Sequence, residues 1–218
     1  MNIFLGFNRV DVKSEKIFKT CNNNYFERLK KTLEKEENSI IIFGGRFALY
    51  LSNYYFNNQE GGIDEIYLSP SKYISLGMYN SIEDSFKDTL FKLSNKNKII
   101  LIYPIPEVGL DPNKKIFNQW VKQRFNKNFN MQKITTSYDI FKERNKSSFE
   151  LLDSIKGDNI FRIYPHRLVC NSFIKDRCIT HDDNNIFYVD SNHPSLKFAE
   201  MINDLIMKKI VEIEVKSK

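Results

Sequence analysis

The chain has 218 residues, 41% of them hydrophobic, with 8 Gly and 6 Pro. That excludes a disordered, collagenous or low-complexity protein and suffices for one α/β domain with its own core. The formal net charge is +6, but Lys and Glu are interleaved, as in residues 30–37, so the basic excess forms no stripe that would track a nucleic acid, and a nucleic-acid partner is set aside. No apolar run approaches the roughly 18 residues of a membrane span. Residues 1–8 have no basic region ahead of a long apolar core, so they do not read as a signal peptide.

In chain order, Tyr25, Phe26, Leu29 and Leu33 recur at helical spacing and predict a helix over residues 23–36. Residues 39–43 predict a buried strand ending at Gly44-Gly45. The aromatic stretch 46–59 predicts a helix packed on the sheet, and Gly61-Gly62 a turn. Ile82, Phe86, Leu90 and Leu93 place an amphipathic helix over 81–93. Residues 98–103 are a second buried strand, stopped by Pro104 and Pro106, which cannot donate to a ladder. Asp111 as N-cap and Pro112 at the first helical position open a helix over 112–125. A longer helix over 138–155 is closed by Gly157. Residues 159–164 are a third strand and 186–189 a short fourth, preceded by a tight turn at 182–185. A terminal helix over 195–210 carries a stripe from Leu196 to Ile210. Strands alternating with helices imply an α/β three-layer sandwich with a mostly parallel sheet, flavodoxin-like in plan. No repeat or linker interrupts it, so residues 1–218 read as a single domain.

Such sheets gather function at the carboxyl ends of their strands. Three segments qualify: 44–47, 103–111 and 190–193. Asp190-Ser191-Asn192-His193-Pro194 places a carboxylate within reach of an imidazole on one turn. Asp190 would fix the tautomer of His193, and His193 would act as general base toward a hydroxyl and then as general acid toward the leaving group. The plainer reading is an Asp-capped turn with an exposed His. No Gly-Asp-Ser and no Gly-x-Ser-x-Gly supplies a nucleophile, and Ser191, inside the motif, should point away from its own His.

Gly44-Gly45-Arg46-Phe47 lets backbone N–H groups face a cleft, as an oxyanion hole requires. Arg46 adds positive charge, binds an anionic substrate, or pairs with Asp111; the alternative is a plain turn with a surface Arg. The loop 103–109 can wall a pocket, with Glu107 read as a solvated loop residue. His166 is read as structural or exposed on a strand edge, and His181 has no assigned role. Cys170 and Cys178 suit a short-loop disulfide or two buried free thiols. Cys21 is left over. No second Cys or His pair has ligand spacing, so neither a metal site nor an organic cofactor is expected.

Together these segments resemble a known family. Residues 41–47, the Pro104-Ile105-Pro106-Glu107-Val108-Gly109 loop, Cys170 with Cys178, and Tyr188-Val189-Asp190-Ser191-Asn192-His193 are similar in order and spacing to the SGNH-hydrolase-like domain fused to the C-terminus of acyltransferase-3 membrane proteins. The resemblance covers roughly residues 20–210. It implies an O-acyltransferase, commonly an O-acetyltransferase, of cell-surface glycans such as lipopolysaccharide O-antigen, on the periplasmic face of the bacterial inner membrane. Its partners would be an acyl donor, a glycan acceptor and the membrane acyltransferase part. It implies Asp190 and His193 as catalytic acid and base, and a Cys170–Cys178 bridge. The family's oxyanion Asn is absent here, leaving the backbone of Gly45 or the side chain of Arg46 in its place. The family's Gly-Asp-Ser-His motif also has no counterpart, so the domain reads as incomplete on its N-terminal side, with the serine supplied by another segment. A carbohydrate esterase, or an inactive glycan- or partner-binding remnant, is the alternative.

Overall fold

The computed structural model describes residues 7–11, 14–17, 23–52, 55–64, 71–75 and 79–215. Among these residues seven strands, β1 (Phe7–Asp11), β2 (Ile40–Phe43), β3 (Ser71–Ser75), β4 (Lys98–Ile102), β5 (Thr135–Ser137), β6 (Ile160–Ile163) and β7 (Arg177–Ile179), alternate with helices α1 (Asn23–Leu33), α2 (Phe47–Ser52), α3 (Ile82–Ser94), α4 (Pro112–Phe125), α5 (Tyr138–Arg144), α6 (Lys146–Ser154) and α7 (Leu196–Val215). The α/β class and the parallel central sheet are as expected.

That sheet is β2-β4-β6, parallel throughout. Its middle strand, Lys-Ile-Ile-Leu-Ile, is apolar on both faces because helices cover both. On one face Ile41, Phe43, Ile99 and Leu101 pack with Phe47 of α2, Phe86 and Leu90 of α3, and Leu151 and Leu152 of α6. On the other, Ile100 and Ile163 meet Ile213, Leu205, Ile206 and Ile210 of α7. β2 is the edge strand, with no partner on its outer side among the described residues. The amide of Lys98 bonds to the carbonyl of Ser39 and the amide of Ile99 to that of Asn159. The alternation of a parallel ladder therefore turns the peptide groups of Ile40 and Ile42 outward. Ile42 is 40% exposed.

A second cluster sits beyond the strand ends, joining Val108 of the 103–109 loop, Phe141 of α5, the Cys170–Cys178 pair, Phe187, Tyr188 and Phe198. It is the platform on which the segment before Asp190 rests. Phe187 and Tyr188 are fully buried, but they form isolated bridges, His181 to Ile186 and Tyr188 to Pro194, rather than the expected strand over 186–189.

Other expectations are corrected by local chemistry. The helix predicted over 138–155 breaks in two at Asn145, whose side chain donates to the carbonyl of Phe141 and turns the backbone between α5 and α6. The helix predicted over 46–59 stops at Ser52. Residues 57–63 form instead a tight loop bridged at Asn57 and Ile63. Within it Asn58 Oδ1 accepts from the amides of Glu60 and Gly62, and its Nδ2 donates to the carbonyl of Val108. Two antiparallel pairs, β1-β3 and β5-β7, were not anticipated. The helix over 112–125 is as expected in detail: Asp111 accepts from the Lys114 amide at 3.1 Å and Pro112 opens the first turn. Cys21 lies outside the described residues.

Candidate active site

The turn after Val189 is built on one carboxylate. Asp190 Oδ1 accepts from the amides of Asn192 and His193, both at 2.8 Å, and Oδ2 stands 2.7 Å from His193 Nδ1. The amide of Val189 closes the turn on the carbonyl of His193 at 3.0 Å. A carboxylate only accepts, so Nδ1 carries the proton and Nε2 is left as the basic nitrogen. Nε2 has no partner among the described residues. For Asp190, partial burial is the largest single influence and pushes its pKa up. The two amides and the imidazole together outweigh it, and the carboxyl titrates below its ordinary range.

Neighbouring segments hold this turn in place. The amides of Val108 and Gly109 bond to the carbonyl of Ser191 at 2.7 and 3.3 Å. Asn113, in the first turn of α4, donates to the carbonyls of Tyr188 and Val189. Gly109 has φ +72 and packs against Gly62. A Cβ on Gly62 would lie 2.8 Å from the Gly109 carbonyl oxygen, and one on Gly109 would lie 2.9 Å from that of Gly62. Both positions therefore require glycine, and the 57–63 and 103–109 loops touch backbone to backbone.

His193 and Asn192 stand between two clefts. One, of about 650 Å³, is lined by Gly44, Gly45, Arg46, Tyr103, Pro104 and Ile202. The other, of about 890 Å³, is lined by Asp64, Gly62, Gly109, Asp111, Lys114 and Asp190. Arg46 lines both. The structure thus brings together the four expected site residues, Asp190, His193, Gly45 and Arg46. The amide of Gly45, just past β2, has no acceptor among the described residues.

Arg46 is neither a surface side chain nor paired with Asp111. Its guanidinium lies between two buried carboxylates, Asp64 and Glu107. Burial is the largest influence on it and would lower its pKa. Glu107 and Asp64 reverse that and hold it above the ordinary arginine value. Glu107, expected to be solvated, is buried, because Arg46 takes one of its oxygens and Arg144 the other at 2.8 Å. Arg144 Nη1 also reaches Ser52 Oγ at 2.8 Å. One ionic network therefore joins the end of β2, the 55–64 loop, the loop after β4 and α5. Asp64 Oδ1 remains buried with no hydrogen-bond partner among the described residues. Asp64, Asn58 and Arg144 were missed from the sequence. Only the Gly61-Gly62 turn hinted that the chain doubles back here, since an acid between Ile63 and Glu65 carries no local signature.

Cys170 and Cys178 are joined in a disulfide and buried, so the free-thiol alternative falls. Next to the bridge, Arg177 forms an ion pair with Glu60 of the 55–64 loop. His166 lies not on a strand edge but in a 3₁₀ turn, Pro165–Leu168, buried among Tyr138, Phe141, Phe149 and Tyr164.

A parallel α/β sheet with a carboxylate-held histidine at its carboxyl end defines a domain of the hydrolase and acyl-transfer class. The chain matches the family described as "SGNH domain (fused to AT3 domains)" over residues 3–208, and it belongs to that family. The match begins well before residue 20, where the resemblance read from motifs starts. Among solved structures, the periplasmic domain of a lipopolysaccharide acetyltransferase from Salmonella ser. Paratyphi A is similar in fold. It is 18% identical, with a TM-score of 0.51, over 96% of this chain and 68% of that one. No curated protein matches the sequence.

Proposed function

We propose that this chain is the acyl-transfer domain of an envelope O-acetyltransferase that modifies a cell-surface glycan such as lipopolysaccharide O-antigen. The observation that carries the reading is the 2.7 Å contact of Asp190 with His193 at a cleft that Gly45 and Arg46 also line. His193 Nε2 takes the proton of a serine hydroxyl as that oxygen attacks the acyl carbonyl. It then returns the proton to the departing group. In the second half a glycan hydroxyl loses its proton to Nε2, attacks the acyl-enzyme, and the serine recovers its hydrogen. The backbone of Gly45 donates to the carbonyl oxygen as it becomes negative. Arg46, held by Asp64 and Glu107, keeps that loop in place and sets a positive charge beside it.

The lining of the Gly45 cleft contains no Ser, Thr or Cys, so the nucleophile comes from a serine-bearing segment outside the described residues. The unpartnered edge of β2 supports this. A strand added there would end beside Gly44-Gly45, opposite His193. The family's description, a domain fused to AT3 domains, supports a membrane acyltransferase part as partner and, with it, a position on the periplasmic face of the inner membrane. A second reading, a glycan-binding remnant, is favoured by the same missing hydroxyl. The two separate in one assay: the chain, joined to its serine-bearing segment and membrane partner, is tested for acetylation of O-antigen. His193→Ala abolishes acetylation if His193 is the base. Unchanged acetylation removes it from the reaction.

A further inference from the structure

Helix α4 is exposed along most of its length. Of its residues only Pro112 is buried. Its aromatic side chains nonetheless stand in water: Phe117 is 60% exposed, Trp120 47% and Phe125 86%. They are ordered among themselves and with cations. Phe117 stacks on Trp120 with centroids 6.0 Å apart, and the Arg124 guanidinium lies 5.5 Å from the Trp120 ring. Lys122 of the helix lies 5.9 Å from the ring of Phe129 in the loop that follows, and Gln119 and Gln132 exchange hydrogen bonds that fold that loop back on the helix. At 100° per residue Phe117, Trp120, Val121, Arg124 and Phe125 fall on one side of the helix.

The charge on this face has one sign. Residues 112–138 contain Lys114, Lys115, Lys122, Arg124, Lys127 and Lys133 and no Asp or Glu. Among the described residues only Lys133 of these six has an ion-pair partner, Asp183. With six cations and no acid in 27 residues, this is a denser basic run than the mixed Lys and Glu of residues 30–37. Aromatic rings with unpaired Lys and Arg between them, on an otherwise polar helix, are the composition of a helix that lies in the headgroup boundary of a bilayer. The buried centre of a protein–protein interface is depleted of Lys. We propose that the α4 face binds an anionic lipid surface, with Phe117, Trp120 and Phe125 entering the boundary and Lys122, Arg124 and Lys127 meeting lipid phosphates. Asn113 fastens the first turn of this helix to the carbonyls of Tyr188 and Val189. The lipid-binding face therefore lies within about 20 Å, one length of the helix, of the Asp190 turn.

Trp120 is the sole tryptophan of the chain, so its fluorescence reports on this face without labelling. The test is titration of the full chain with vesicles of phosphatidylglycerol and phosphatidylcholine mixed, and of phosphatidylcholine alone. The proposal expects a blue shift of emission and co-sedimentation with the mixed vesicles, both weakened by 0.5 M salt. It expects little of either with phosphatidylcholine alone. Lys122→Glu with Arg124→Glu should weaken partitioning by about thirtyfold or more, since each cation near such a surface contributes a factor of about five. Phe117→Ser with Phe125→Ser should weaken binding while leaving the circular dichroism unchanged, because neither residue is in the core. His193→Ala should bind as the parent chain does, so failure of the acyl-transfer reading leaves this test untouched. Emission that does not move at saturating anionic lipid overturns the proposal. So does equal binding to both vesicle types. A blue shift that follows protein concentration without lipid also overturns it and makes the face a contact between copies of the chain.

Discussion

Replacing Asp190 by Asn isolates what the carboxylate does. Its Oδ1 is held by two backbone amides at 2.8 Å, and both are donors, so the Asn oxygen keeps that place. Its NH₂ then faces His193 Nδ1. Two donors cannot share the contact, so the imidazole proton leaves Nδ1 for Nε2, and the nitrogen needed as a base is capped. Two magnitudes compete. In a sealed serine-protease triad the equivalent change costs about 10⁴ in kcat, roughly 5.5 kcal/mol. In an open site the loss is one hydrogen bond to a charged group, about 1.5–3 kcal/mol, or some ten- to 150-fold. The His193 side chain is 69% exposed, which favours the lower figure for the chain alone. Closure by the serine segment and the acceptor moves the loss toward the higher one.

The expected result is therefore a fall of at least about 10²-fold in kcat for glycan acetylation, with little change in stability, because the variant keeps both amide bonds and buries nothing new. Nitrogen-15 NMR of the imidazoles gives a readout independent of turnover: Asp190→Asn should change His193 from the Nδ1–H to the Nε2–H tautomer. Asp190 has a folded pKa below its unfolded one, so whatever stability it contributes is complete above the unfolded value and is lost as pH falls through the folded one. The Asn variant should lack that acid-side dependence. A kcat within twofold of the parent, with the tautomer unchanged, would refute the relay.

Glu107→Gln removes the buried carboxylate that Arg46 and Arg144 share. Its expected cost is about 3 kcal/mol, seen as a fall in the denaturation midpoint of roughly 6–12 °C for a chain of this size; an unchanged midpoint would show that the network is not coupled to folding. His166 is pushed down to about 4 by burial and then by the neighbouring Arg167. Its folded pKa lies below the ordinary histidine value, so the unfolded chain binds the extra proton first as pH falls, and stability declines from about pH 6.5 to about pH 4 by up to about 3 kcal/mol. Urea midpoints across that interval should show the decline, and His166→Phe should flatten it.

How far the sequence could be read depended on how local each signal is. The parallel sheet was legible because residues 40–43 and 98–102 are continuous apolar runs, which need cover on both faces, and Asp111-Pro112 marks the start of α4 by chemistry confined to a few residues. The Asp190 turn was legible for the same reason, since its acceptor, its donors and its imidazole span four positions. The pairings β1-β3 and β5-β7 were not legible. They join segments some 40 to 60 residues apart through short strands with little apolar alternation. Glu107 was misread because a proline-rich loop normally faces solvent. Burying that side chain takes Arg46 and Arg144, 61 and 37 residues away, and their convergence depends on the fold.

The same contrast bears on how the site works. His193 is exposed and Asp190 only half-buried, and both depend on their own turn, so packing alone would not hold them in register with Gly45. What does is the buried charge cluster: Arg46 ties the Gly45 loop to Glu107, and the amides of the next two residues, Val108 and Gly109, bond to the carbonyl of Ser191, between Asp190 and His193. The path from oxyanion donor to base thus runs through a few side-chain and backbone bonds and one rigid proline-bounded loop. The desolvation cost of a buried ion pair offsets much of its attraction, so the network adds less to stability than its count of contacts suggests. Its consequence is geometric: severing Arg46 from Glu107 would leave Asp64 as the tie on Arg46 and loosen the Gly45 loop relative to the His193 turn.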